Sequence, residues 1–498
     1  MTVSVVGFAI LAVICVGLVT RRNLFPFALG ASAALPTTAA ITVGETTTVA
    51  PFYVLGVIAL VLAIIKRGRQ VPHPVWPVLA LFVVVVFAVT VCGPSLFEGV
   101  RILLPRAGID AQIIDPAPLK YTPSMVAQLA YLVIGVGVAV YLAKERATLA
   151  VLHAAFGVGI GLGFLRIIVE SAGLVWPNGQ FQNSATASYN PFETRFFGTF
   201  AEPSNLAVFA VAAATFYAFR LVDSMRYRWV SGVMLALALW QLLLASSGTA
   251  ALAAVVIVVS VLAVQFWRFV FGRGGLHPGL VVGMAPLVGT IWLAGFADAF
   301  LLEITEKFDT ESAANRFASD IFSLKLVGET LGIGVGLGAN RPSSFVTMLL
   351  SCTGVVGATL FILVMTRTLR GRFSSASTRA AAWAWLALLI AKSLAEPALS
   401  TPLIWLTMGV LIAGSLDATH SNRPVDCTSD GAGQKLMVTS VDHSVRRGSR
   451  PGFREQSESG PGFASGVDTS LSPDGPIQNA GAPLRRRDPR PWVGTPAQ

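Results

Sequence analysis

Charge is what this chain has least of. Of its 498 residues, 12% are charged and 54% hydrophobic, with a mean hydropathy of +0.68. Soluble domains carry about 25% charged residues. A water-soluble fold of this length is excluded, because too little polar surface exists to cover the apolar side chains. Cysteine is scarce as well. Cys15, Cys92, Cys352 and Cys427 form no CxxC pair, and three of them sit in or beside apolar runs. No disulfide framework and no cysteine metal site can be read from them. A nucleotide loop is also missing. The run Gly332-Ile333-Gly334-Val335-Gly336-Leu337-Gly338 lacks the Gly-Lys-Ser/Thr ending of a P-loop and follows no strand. The first apolar run, 3–20, has no basic residue before it and no small-residue cleavage site, so it reads as a retained helix.

What the chain has in abundance is apolar runs of the length that crosses a bilayer, about 17–20 residues. Thirteen candidate spans stand at 3–20, 24–42, 49–65, 75–92, 124–142, 148–169, 203–219, 229–245, 249–266, 279–296, 344–366, 380–395 and 398–416. Gly, Ala and Val scattered through them favour helices packed in lipid over barrel strands of alternating polarity. The expected fold is all-α and polytopic, with 12–13 transmembrane helices in a membrane domain over 1–416. The remainder, 417–498, is rich in Gly, Pro, Ser and Arg, has few aliphatics and is expected to be disordered. Its Arg485-Arg486-Arg487 run suits anionic lipid headgroups or a solvated surface equally.

The formal charge of +10 marks topology more than a nucleic-acid partner. The tail is nearly neutral, with ten Lys/Arg against nine Asp/Glu. Alternate loops hold Arg21/Arg22, Lys66/Arg67/Arg69, Lys144/Arg146, Arg220/Arg226/Arg228, Arg268/Arg273 and Arg367/Arg370/Arg372/Arg379, with only Glu145 and Asp223 as acids. The other loops are acid-rich. The positive-inside rule makes the basic set cytoplasmic, the tail inside and the N-terminus outside.

Three outer segments are long: 93–123, 171–202 and 297–343. Loops of that size are uncommon and often functional. The first is proline-rich. The second holds an Asn-, Gln-, Ser- and Gly-rich stretch, 176–189, fit either for sugar hydroxyls or for plain solvation. The third begins acidic, continues as a predicted amphipathic helix over 312–327, and ends in the glycine run. The topology puts Arg195, Glu202, Arg316, Arg341, Lys392 and Glu396 near the outer face, with Arg166 at the outer end of its span. An arginine at mid-bilayer costs about 2.5–3.5 kcal/mol and less near the interface, so such residues usually have a partner or a job. Snorkelling is the simpler account of Arg166 and Lys392.

Arg195 and Arg341 each precede a proline that opens a span running inward, at Pro203 and Pro342. Proline suits the first helical turn. The helix N-terminus, its free N–H groups and an arginine together make an anion site, above all for phosphate. The glycines of 332–338 would bring further N–H groups to it, or serve only to pack helices. None of the five histidines, His73, His153, His277, His420 and His443, falls in an outer loop by this topology. A base on that face must then be a carboxylate. Glu202 is the best placed, and it also reads as a helix cap.

The pattern Arg195-x-x-Gly198-Thr199-Phe200-x-Glu202-Pro203-Ser204-x-Leu206-Ala207 resembles the signature of bacterial O-antigen and exopolysaccharide polymerases of the Wzy type, in the O-antigen ligase/polymerase superfamily. The resemblance continues through Ser246-Ser247-Gly248, Asn315-Arg316 and Gly334-Val335-Gly336-Leu337-Gly338-Ala339-Asn340-Arg341 with Ser343-Ser344-Phe345, and covers about 190–410. It implies a GT-C-like membrane glycosyltransferase that joins undecaprenyl-pyrophosphate-linked repeat units at the outer face of the inner membrane. It implies no nucleotide sugar, metal or other cofactor, and a chain-length regulator as a possible partner. It also assigns roles: Glu202, Arg195 and Arg341 in catalysis, and Arg316, Arg166, Gly334, Gly336, Gly338, Asn340, Ser343 and Ser344 in substrate binding. Family ligases are expected to carry a histidine in the large outer loop. This chain has none between Pro278 and Thr419, which favours polymerase over ligase. A flippase of lipid-linked sugars is the rival from another class, and it would show broken helices at mid-membrane.

Overall fold

The computed structural model describes residues 2–20, 23–43, 47–66, 72–104, 116–184, 195–223, 228–245, 254–262, 289 and 311–421. The chain is mostly helical: α1 Val5–Val19, α2 Phe25–Ser32, α3 Pro51–Ile65, α4 Val75–Leu96, α5 Pro123–Lys144, α6 Ala150–Ser171, α7 Asn178–Phe181, α8 Pro203–Asp223, α9 Arg228–Ala245, α10 Glu311–Glu329, α11 Phe345–Leu369, α12 Arg379–Ala395 and α13 Pro402–Ser421. Strands are few and short. Thr2–Val3, Ile41–Val43 and Thr47–Val49 form one antiparallel sheet, and Arg101–Ile102 pairs with Ala117–Pro118.

Among the described residues, six helices are long and apolar enough to cross a membrane: α4, α5, α6, α8, α9 and α11. They match the predicted spans at 75–92, 124–142, 148–169, 203–219, 229–245 and 344–366. α1, α3 and α13 are shorter apolar helices. Outward-facing Leu81, Val84 and Phe87 on α4, and Val355, Val356 and Ile362 on α11, give the bundle the apolar exterior of a membrane-embedded helical protein. The predicted span 249–266 is helical over 254–262. The span at 279–296 and most of the tail lie outside the described residues. The last helix runs to Ser421, so the first residues assigned to the tail belong to it.

The predicted span at 24–42 is not a membrane-length helix. Over 24–42, α2 stops at Ser32 after 8 residues, about 12 Å at 1.5 Å per residue, far short of a hydrocarbon core of about 30 Å. Residues 33–40 continue as buried turns around Pro36. Buried non-helical backbone is tolerated only where protein satisfies its polar groups. Here Asn183 Oδ1 accepts from Ala39 N at 2.7 Å, Thr199 Oγ1 donates to Ala34 O at 2.9 Å, and Ser184 N donates to Thr37 O at 3.1 Å. Thr37 and Thr38 in turn donate to Thr199 O and Phe181 O. The polar composition just after residue 176 therefore serves, in its described part, to stitch down the broken span.

The helix that follows the Arg195 motif, α8, is the axle of the bundle. It is 78% buried over its membrane-length window, against 33–61% for the other five. Its sequence explains this. Ala207, Ala210, Ala214 and Ala218 make one side slim, so a neighbour approaches closely, while Phe209, Phe216 and Phe219 pack rings on another. α12 runs antiparallel to it. Arg379 at the start of α12 pairs with Asp223 at the end of α8, and at the other end Asn205 and Glu396 line one cavity.

The described parts of several basic loops gather at one end of the bundle. At the basic end, Asn23 and Lys66 both bind Glu145, Arg367 donates to Pro74 O, and Arg372 Nη2 lies 3.4 Å from His73 Nε2. Burial and the Arg372 charge hold the His73 imidazole down at about 4 instead of 6.5. The folded protein keeps this histidine neutral where the unfolded chain would protonate it. Stability is therefore complete above about pH 6.5 and is lost as pH falls towards 4. Between pH 7.5 and 5, the apparent Tm of the wild type should fall further than that of His73→Gln. Equal falls would remove His73 from the account.

Candidate functional site

The end opposite the basic loops carries a cavity of about 140 Å³. It lies where the broken span, the start of α8 and the α12–α13 loop meet, and Pro36, Tyr53, Phe200, Asn205, Glu396 and Thr401 line it. Phe200 and Asn205 belong to the Arg195 motif. The turn before them is set by Gly198, at φ +58, whose carbonyl accepts from Arg166 Nη1 at 2.7 Å. Arg166 is 6% exposed. It also pairs with Glu170 at 2.7 Å and lies 4.3 Å from the Phe197 ring centre. This arginine does not snorkel, and its described contacts fix the motif's turn. Thr199 is held by Ala34 and Thr37.

Arg195 and Glu202 are exposed at the surface beside this turn. The Glu202 backbone carbonyl receives Leu206 N, and its carboxylate accepts from Ser204 Oγ at 3.1 Å. The backbone bond puts Glu202 at the N-terminal edge of α8, and the carboxylate is engaged by a side-chain hydroxyl of the first turn. Neither Arg195 nor Glu202 lines the cavity.

The second motif is built differently from the expected phosphate cradle. Gly332, Gly334, Gly336 and Gly338 all have positive φ, which lets the run thread between α4, α5 and α11. Its N–H groups are spent inside the chain. Gly334 N donates to Thr330 Oγ1, Gly336 N to Cys352 O at 3.0 Å, and Gly338 N faces the Cys352 sulfur. The acceptors exist because α11 is broken at Gly354, at φ 71 and ψ 177. The break frees the Ser351 and Cys352 carbonyls for Val335 N and Gly336 N, while Val355 N bonds Gly332 O instead. The run is a plug for a broken helix, not an open anion nest.

Asn340 is likewise occupied. It is 3% exposed, donates to Ser323 and Ser351, and accepts from Leu103 N. At the start of α11 a carboxylate already stands where an anion was expected. Asp320 Oδ1 accepts from Ser343 N, Ser344 N and Thr347 Oγ1 at 2.9, 3.1 and 2.8 Å. The predicted amphipathic helix is real, as α10, and it supplies that carboxylate. Ser343 Oγ donates to Arg316 O, and Arg341 N to Leu103 O, leaving the Arg341 side chain exposed.

The connection between the two motifs is Lys392. It is 0% exposed, with Nζ 2.9 Å from Glu396 Oε2 and 2.6 Å from Thr401 Oγ1. It also lies 5.7 Å from the ring centre of Phe345, at the head of α11. Thr401 Oγ1 in turn donates to Glu396 Oε1 at 3.0 Å. Tyr53 Oη donates to Ser400 O at 2.7 Å and holds the same loop from α3. The i,i+4 spacing of Lys392 and Glu396 was visible in the sequence. Tyr53 and Thr401 left no signal, being ordinary residues at the ends of apolar runs. Among the described residues, no group of His, Cys, Asp and Glu is arranged to hold a metal ion. No protein-family model matches the sequence, and no curated protein matches it.

Proposed function

We propose that the chain is a membrane glycosyltransferase that extends a glycan from undecaprenyl-pyrophosphate-linked repeat units, working at the face of the inner membrane opposite its basic loops. The observation that carries this reading is the convergence of the Arg195 motif, the central helix behind it and the Lys392–Glu396 pair on one cavity. Arg195, Arg316 and Arg341 supply exposed or half-exposed cations around that end. In this reading they hold the diphosphate of the donor and neutralise it as it leaves. Arg166 acts through the turn it fixes, and the glycines, Asn340, Ser343 and Ser344 act as scaffold. The tail is then cytoplasmic and the product is O-antigen, capsule or exopolysaccharide.

Positioned charge donors of this type are worth about 10²–10³ in rate each. Arg195→Ala and Arg341→Ala should each lower glycan extension by that factor in cells while the protein still inserts. Full-length polymer from either variant would sink the reading.

A lipid-linked-sugar flippase is the second reading. It is favoured by two interrupted helical segments, at 33–40 and at Gly354, the kind of break that transporters place around substrate. Reconstituted vesicles separate the two. Longer lipid-linked glycans mark a transferase, whereas a change of sidedness with no change of length marks a flippase. Extension that requires a lipid A-core acceptor marks the ligase variant.

A further inference from the structure

Lys392 is fully buried, and Glu396 is its counter-charge. A buried ion pair is weak evidence for stability, because apolar replacements often do as well. Its placement is more informative. Glu396 lines a cavity of about 140 Å³. Aromatic Tyr53, Phe200 and Phe209 offer apolar faces to a ring there. Asn205, Thr401 and Glu396 offer the few convergent polar groups that orient a ligand.

We infer that this cavity is the subsite for the acceptor sugar, and that Glu396 is the base that takes the proton from its hydroxyl. The inference rests on the glycosyltransferase reading above and replaces Glu202 in that role. The Lys392 ammonium pairs with Oε2 of the Glu396 carboxylate, and Thr401 orients it through Oε1. A carboxylate has about four acceptor positions. Lys392 and Thr401 use one each, which leaves room for a sugar hydroxyl. Glu202, by contrast, lies outside the cavity lining and is held by Ser204.

In the reaction, the acceptor oxygen bonds to the anomeric carbon of the donor as its proton passes to Glu396. The bond from that carbon to the diphosphate oxygen breaks, and the diphosphate leaves with the electron pair. Lys392 and Thr401 are positioning residues.

The test uses purified full-length protein and lipid-linked oligosaccharides extracted from host membranes that lack this chain. General-base catalysis is worth about 10²–10⁴. Glu396→Gln should lose at least about 100-fold in kcat, and its residual rate should lose the acid limb of the wild-type pH–rate profile. Glu396→Asp should recover part of the rate. The pair Lys392→Met with Glu396→Gln removes both charges together, so no lone buried lysine remains. It should unfold thermally like the wild type and stay inactive. Thr401→Val should slow the reaction and Thr401→Ser should restore it. If wild-type protein extends no glycan, the glycosyltransferase reading fails. If wild-type protein extends glycans and Glu396→Gln, alone or with Lys392→Met, keeps more than about a tenth of its kcat, Glu396 is not the base. Loss on Glu202→Gln with Glu396→Gln active would return the role to Glu202.

Discussion

Gly354→Ala should destabilise the protein by at least about 3 kcal/mol. Gly354 sits at φ 71 and ψ 177, a region open essentially to glycine alone. A Cβ there would stand 2.1 Å from Ile333 O and 2.5 Å from Gly332 O. Those atoms are backbone and cannot rotate away. Relief requires lifting the glycine run, which breaks the bonds from Val335 N to Ser351 O, Gly336 N to Cys352 O and Val355 N to Gly332 O. Closing the helix instead would leave the run's N–H groups buried and unmatched, at about 1–3 kcal/mol each. The control is Gly161→Ala on α6, where a Cβ meets nothing within 4 Å and alanine raises helix propensity by up to about 1 kcal/mol. Thermal unfolding in detergent should show a clear fall for the first variant and none for the second. A Gly354→Ala protein melting within about 2 °C of wild type would mean that the break in α11 does not depend on glycine.

Asp223→Ala should cost about 3–5 kcal/mol, the range for breaking a buried ion pair from one side. The Asp223 side chain is 1% exposed and that of Arg379 is 17% exposed. Both Asp223 oxygens are engaged by one guanidinium, Oδ2 by Nε at 3.2 Å and Oδ1 by Nη2. Removing the carboxylate leaves Arg379 half-desolvated with no counter-ion. Arg379→Lys should not be conservative, because lysine cannot reproduce the two-pronged contact. The double variant Asp223→Ala with Arg379→Ala should lose less than the two single losses added together. This pair is at the opposite end of α8 from the cavity, so if the proposed glycosyltransferase activity is measured, the fraction that folds should keep the wild-type kcat. A kcat that falls with the folded fraction held constant would tie the basic end to the chemistry.

Sequence and structure agree where one apolar run makes one helix. The runs behind α4, α5, α6, α8 and α9 each make one helix, and hydropathy finds them, together with the kinked α11, because it measures transfer into lipid. It fails over 24–42 for the same reason. Leu24 to Ala40 is as apolar as a span, but hydropathy gives no weight to Pro36 or to partners such as Asn183 and Thr199, more than a hundred residues away. The break at Gly354 was hidden likewise, since its cause is a tertiary contact with 332–336. Its sign in the sequence was the alternating glycines, whose role as a plug depends on what they pack against. The Arg195 motif leads to the end of the molecule that holds the cavity, with its Phe200 and Asn205 on the cavity wall. Glu396 was legible as a charge near that end. Its bond to Thr401 and the full burial of Lys392 belong to packing alone.

The Asp223–Arg379 pair also sets a timetable for making the protein. The partners are 156 residues apart in the chain. At a synthesis rate of about 5–20 residues per second, a nascent chain carries Asp223 for roughly 8–30 s before Arg379 exists. Lys392 waits in turn for Thr401. The axle helix α8 therefore enters the membrane with neither its partner helix nor its counter-ion, and holds only provisional neighbours until the C-terminal third arrives. A chain stopped before α12 has no Arg379 to pair with the acid at the foot of α8.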